Sequence, residues 1–291
     1  MFDAFEAIRA NMYPGAQAAI DDWEQFPWHT HAASPRSSQM LAIDVFGTIK
    51  ALGAAERTAI GSALARALEL PANGPWDFFL EWQDASNLLA EVKPTQVDAV
   101  AIGASATILF ECKFTEAGGG CSQINPDKKG VIACNGRYEP QTNPQNQVVA
   151  RCALSGKGIR YWDHIPAVYD LEANATYAPC PFSFDAYQWM RNVVLARALG
   201  VATGKQTRVV ATYARAPHLQ TSAKVDKGDL GHATRISTDA ISPLAYDRIL
   251  ALAAEASPSP VWADLTAWVE NKIGRTAVAR NAKPTVAPPE T

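Results

Sequence analysis

Asp98, Glu111 and Lys113 are the strongly polar residues set inside the apolar strand runs of QVDAVAIGASATILFECKFTE, residues 96–116. Charge in such a setting is costly unless it is paired or holds a metal. A hairpin whose turn centres between Ala104 and Ser105 puts Asp98 directly across from Glu111, about 5 Å away. Strand alternation returns Lys113 to the Glu111 face and sends Cys112 to the other, where it packs. Two carboxylates and one ammonium on a single patch suit a hard divalent cation, Mg²⁺ or Mn²⁺. The same face carries Val100, Thr107 and Leu109, an apolar strip that a surface ladder of ion pairs does not require.

The elements that must position this patch follow from the hydrophobic periodicity. Ser37 or Ser38 caps a helix running to about Leu52, with Met40, Leu41, Ile43, Val45, Phe46 and Ile49 apolar. A second helix runs from Ala54 to about Leu70, ended by Pro71 and Gly74. Trp76 to Trp82 alternates as a strand, with Trp76, Phe78, Leu80 and Trp82 on one face and Asp77, Phe79 and Glu81 on the other. A Gly-, Pro- and Asn-rich excursion follows the hairpin, too long for an ordinary connection and placed where a loop covers or recognises a ligand. Its Gly118-Gly119-Gly120 run is no phosphate loop, because no Gly-Lys-Ser/Thr follows. A crossover helix begins at Pro144, with Gln147 and Arg151 four residues apart on it. Phe184 to Leu199 is a periodic helix stopped by Gly200, 208–214 is a strand extending the sheet, and helices near 243–256 and 261–273 close the domain.

Asp98 followed by Glu111-Cys112-Lys113 after an apolar strand resembles the PD-(D/E)XK nuclease superfamily, whose signature is an Asp and then Glu-x-Lys on the next strand. SSQMLAIDVFGTI from Ser37, EWQ at Glu81, and ECKFTE followed by spaced cysteines narrow the resemblance to a bacterial restriction-endonuclease-like branch, over roughly residues 35–215. Val97 stands where the textual signature has proline. The resemblance implies an α/β fold, a restriction-endonuclease-like mixed central sheet flanked by helices. It implies a Mg²⁺- or Mn²⁺-dependent nuclease that hydrolyses DNA, in restriction or other DNA processing. Asp98 and Glu111 would hold the metal, joined by the backbone carbonyl of Cys112 and, in one reading, by Glu81; in the other, Glu81 faces water. Lys113 would orient or deprotonate the attacking water, and its charge together with the metal would keep both carboxylates ionised. Gln39 lies where the first helix would approach the site. The alternative of a different class is a catalytically silent nuclease-like module that binds nucleic acid or a protein partner. The intact trio argues for chemistry, and no Gly-x-Ser-x-Gly elbow or His-Glu-x-x-His motif offers a small-molecule hydrolase.

At 291 residues and 48% hydrophobic composition, the chain can bury a sizeable core. The expected organisation is a helix-and-loop extension over 1–34, a nuclease-like domain over 35–278 and a disordered tail over 279–291. A net charge of −3 means that any nucleic-acid surface must concentrate its cations locally. Lys128, Lys129, Arg137, Arg151, Lys157 and Arg160 are the candidates. No signal-peptide core or membrane-length run is seen, so the expected compartment is the cytoplasm, with DNA as partner, no membrane, and a homodimer as one way to cut both strands. His29 and His31, two residues apart, make a poor metal pair by themselves. Cys121, Cys134, Cys152 and Cys180 could together hold zinc or an iron–sulfur cluster. Their spacings of 13, 18 and 28 residues, with no C-x-x-C pair, favour four ordinary small side chains instead.

Overall fold

The computed structural model describes residues 5–115, 119–130, 132–134, 136–138, 152–169, 178–182, 186–220, 222 and 241–281. Gln147, Arg151 and the residues after 281 lie outside these. Five strands form the central sheet: β1 (Trp76–Gln83), β2 (Gln96–Gly103), β3 (Ala106–Lys113), and, further along the chain, Gln206–Tyr213 and Ile241–Ala245. Two short strands between them, β4 (Arg137–Tyr138) and β5 (Ala178–Pro179), pair with each other, so the later sheet strands are β6 and β7. The sheet order is β1-β2-β3-β6-β7. The first three strands run antiparallel, and β6 and β7 add in parallel. This is a mixed sheet flanked by helices, as the resemblance implies.

Each face of the sheet buries a separate core. Against one face pack a helix that opens at Ser38–Ala42 (α1) and continues through a π turn, Ile43–Gly47, into Thr48–Ala51 (α2), followed by α3 (Ala54–Ala67). The closing helices α4 (Tyr246–Ala256) and α5 (Val261–Asn281) join them there. Ser37 caps the first of these helices, its hydroxyl accepting from the Met40 amide at 3.2 Å. The other face is covered by α6 (Tyr187–Thr203) and by Leu154, Tyr161, Trp162, Ile165 and Phe182 of the excursion. The crossover between parallel β3 and β6 needs such a helix, and α6 supplies it.

Three sequence expectations change here. Gly200 does not stop α6; the helix runs to Thr203, and Gly204 ends it at φ 70°. Ile241–Ala245 is an edge strand, not the start of a helix, and its Pro243 sits where a missing amide costs no ladder bond. Trp82 does not share a face with Trp76 and Phe78, which lie in the first core, for Trp82 packs with the second. Glu81, at φ 49°, inverts the alternation just before it.

The N-terminal extension is built into the domain. Met12, Ala16 and Ile20 form a third apolar cluster with Met40 and Ile43. Beneath it Asp44, fully buried, accepts hydrogen bonds from the Tyr13 amide, from Trp268 Nε1 and from Lys272 Nζ.

Candidate active site

The β2–β3 register pairs Ala99 with Phe110 and Val100 with Leu109. Carried one step further, it sets Asp98 opposite Glu111, as the hairpin reading expects. The β1–β2 register brackets the same row from the other side: Leu80 faces Ala99 and Trp82 faces Val97, so Glu81 occupies the position across from Asp98. Three carboxylates thus stand in one row across three adjacent strands. Each is held by a protein donor. Asp98 Oδ2 accepts from the Cys112 amide at 2.6 Å. Glu111 Oε1 accepts from Lys113 Nζ at 2.7 Å, and Glu111 Oε2 from Asn192 Nδ2 of α6. Glu81 accepts from Gln39 Nε2 at 2.8 Å and from Gln96 Nε2 at 2.5 Å.

Burial governs the electrostatics. Glu111 and Lys113 are each 3% exposed, and Glu81 is 7% exposed. Asp98 is pushed well above the usual carboxylate range, first by burial and then by Glu111, against an opposing pull from Lys113. Glu81 is pushed up to about 7, again chiefly by burial, with its Gln39 and Gln96 bonds pulling the other way. Lys113 does pull Asp98 downward, as expected, but desolvation and a like charge outweigh that one ammonium. A divalent cation is the kind of group that would reverse that balance.

Residues that the sequence reading did not single out complete the surroundings. Asn192, fully buried on α6, reaches Glu111, and its Oδ1 has no hydrogen-bond partner among the described residues. Lys113 Nζ lies 5.8 Å from the centre of the Trp189 ring. Gln96 clamps Glu81 from β2. The buried amide of Asn192 within the run YQWMRNVVLA was the available signal, since a polar side chain on an apolar helix face must find a partner. Gln39 does reach the site, holding Glu81 while its Oε1 accepts the His29 amide at 2.8 Å. His29 Nε2 stands 3.8 Å from Glu81 Oε2, which brings the N-terminal loop to the edge of the acidic row. Cys112 packs in the opposite core, as expected.

Glu81 at φ 49° adds a mark of its own. A non-glycine residue in the left-handed region is strained, and such strain gathers at functional sites. Among the described residues, no three His, Cys, Asp or Glu side chains are posed to hold one metal ion jointly. One or two carboxylates are what Mg²⁺ takes from a protein, and Asp98 and Glu111 are the two this row could offer.

The family model described as Restriction Endonuclease associating with ARP matches residues 10–255. The chain belongs to this family. The match spans α1 through most of α4 and so includes the whole acidic row and the Asn192 helix. Comparisons with curated proteins and with solved structures found no match. Membership of the restriction endonuclease family agrees with the mixed sheet and with the Asp and Glu-x-Lys text, and it marks the chain as nuclease-like. Among the described residues of this family member, no helix is long and apolar enough to cross a membrane.

Proposed function

We propose that the chain is a Mg²⁺- or Mn²⁺-dependent endonuclease that hydrolyses DNA phosphodiester bonds, in restriction or a related DNA-processing role. The carrying observation is the buried row of Glu81, Asp98 and Glu111 with Lys113 paired inside it. A fold does not dedicate three desolvated carboxylates to one spot for stability, because their mutual repulsion and burial work against it. Asp98 and Glu111 would hold the cation, with the backbone of Cys112 and the Glu81 carboxylate beside them.

Bound there, the cation supplies charge that acidifies a water near neutral pH and that offsets negative charge on the leaving oxygen. The chain's own groups do the positioning. Asn192 and Lys113 fix the two oxygens of Glu111. Lys113 brings a positive charge to the scissile phosphate and orients the attacking water. The unpartnered Asn192 Oδ1 offers that water an acceptor. Trp189 screens Lys113 from bulk solvent on the α6 side.

DNA contact would come from the excursion after β3, where Lys128 and Lys129 are exposed. Lys157 is engaged by Gln123 and Arg160 by Asp163, so these two are weaker candidates. The family description names an association with ARP, and we extend that association to this chain. The second reading, a catalytically silent module, draws support from each carboxylate's having a protein donor already.

The test is a cleavage panel of linear, nicked, branched and single-stranded DNA with Mg²⁺ or Mn²⁺, with the chain alone and with its ARP partner. Cleavage that a chelator stops and added Mg²⁺ restores is expected, with DNA affinity falling as salt rises. Salt-dependent binding without cleavage under either ion would favour the silent module.

A further inference from the structure

Cys121, Cys134, Cys152 and Cys180, each from a separate strip of the excursion, line one small pocket. The remaining lining is Gln123, Ile124, Gly136, Ala153, Leu154 and Phe182. All four cysteines are present as thiols. Cys121 belongs to the second core and Cys152 and Cys180 pack against it; turns and backbone bonds set the rest of their convergence. Cys121 precedes a single 3-10 turn, Ser122–Ile124, and its amide donates to the Phe182 carbonyl at 3.2 Å. The Cys134 amide donates to the Gln123 carbonyl at 3.0 Å, and the Cys180 amide to the Gly136 carbonyl at 2.9 Å. The strips that carry Cys121, Cys134 and Cys180 are thereby stitched backbone to backbone.

The sulfurs themselves receive a repeated pattern of donors. The Gly136 amide, two residues after Cys134, points at its Sγ at 3.5 Å. The Gln123 amide, two residues after Cys121, and the Phe182 amide, two residues after Cys180, bond their cysteines in the same sense, each favouring the thiolate. Gly136 takes φ 73° to make its turn, a conformation that suits glycine. Backbone N–H groups directed at sulfur are what a metal-bound thiolate uses to spread its charge. An ordinary buried thiol, a weak acceptor, has no need of them. Burial and the neighbouring cysteines meanwhile hold the Cys180 thiol up to about 12 and raise Cys121. The chain has gathered four groups that repel one another as anions and has aimed donors at three of them.

We propose that Cys121, Cys134, Cys152 and Cys180 form a structural zinc site. Four thiolates are one of the closed tetrahedral sets this ion takes in structural sites. The pocket leaves room for about one water-sized sphere, the scale of a single ion. The sulfurs now ring the pocket without closing on a common centre; zinc would draw each to about 2.3 Å. Its role is mechanical. Among its described residues the excursion has only two-residue strands and single turns, yet it presents Tyr161, Trp162 and Phe182 to the sheet. A metal cross-link contributes folding energy that so little regular structure does not. The site is separate from the acidic row and stands whether or not the chain cleaves DNA.

The test uses the full chain purified without added metal. Elemental analysis should find about one zinc per chain, kept by Asp98→Asn and lost by Cys180→Ser or Cys134→Ser. A mercurial thiol reagent added to the native wild type should release that zinc in step with four thiols, which keeps the test valid where a cysteine variant fails to fold. Denatured protein should then titrate with all five of the chain's thiols. Absence of zinc, visible iron–sulfur absorbance, or a thiol count lowered by disulfides would each overturn the proposal.

Discussion

Asn192 of α6 donates its side-chain amide to Glu111 of β3, across 81 positions of sequence, and both are buried. The contact ties the crossover helix to the acidic row and fixes the one Glu111 oxygen that Lys113 does not hold. Removing it frees that oxygen without adding or removing charge. Asn192→Ala should lower cleavage about 10- to 100-fold, the usual range for a group that orients a metal ligand. The Mg²⁺ concentration for half-maximal rate should rise with it. Rates at saturating Mg²⁺ and at limiting Mg²⁺ measure both effects; an unchanged Mg²⁺ dependence contradicts the assigned role.

Glu81 gives the pH dependence. Its carboxyl, ordinarily at 4.5, is pushed up to about 7 in the folded chain. A raised native pKa stabilises the fold fully below the unfolded value, and the contribution is lost as pH climbs through the folded value. Wild type should therefore lose stability relative to Glu81→Gln between about pH 5 and pH 8, by on the order of 3 kcal/mol. Denaturant melts of the two proteins across that range test it. Parallel curves would show that Glu81 carries no raised pKa.

Lys272 and Asp44 form a pair at 2.5 Å with side chains 1% and 0% exposed, linking α5 to the π turn. Lys272 also donates to the Asn11 carbonyl at 2.7 Å, which anchors the N-terminal extension. Breaking a buried pair by removing one partner costs about 3–5 kcal/mol. Lys272→Met should fall in that range by chemical denaturation while leaving the cleavage rate per folded molecule unchanged, since the pair lies outside the acidic row. A loss of less than about 1 kcal/mol would mean that water reaches Asp44.

Much of the site was legible because it is local. A strand period of two and a two-residue turn at Ala104-Ser105 determine which face Asp98, Glu111 and Lys113 share. The part that was not legible depends on tertiary docking. Asn192 and Trp189 reach the row only because α6 crosses that face, and nothing in the helix period says what it will meet. The reversal at Glu81 was hidden because glutamate does not advertise a left-handed backbone. Pro243 disguised β7, whose pairing is set by its neighbour β6. The four cysteines lack a local C-x-x-C pair, and their meeting depends on backbone bonds between strips far apart in sequence.

Asp98→Asn is the most direct test of the central claim, because the variant keeps the shape of the side chain and an acceptor for the Cys112 amide while removing the charge that a cation needs. Burial already disfavours that charge, so the variant should melt at the same temperature as wild type or higher. Its Mg²⁺-dependent DNA cleavage, measured at equal folded protein, should fall by at least about 100-fold, the scale of losing one electrostatic contact to a transition state. Cleavage by Asp98→Asn at the wild-type rate would contradict a metal site built on the Asp98–Glu111 row.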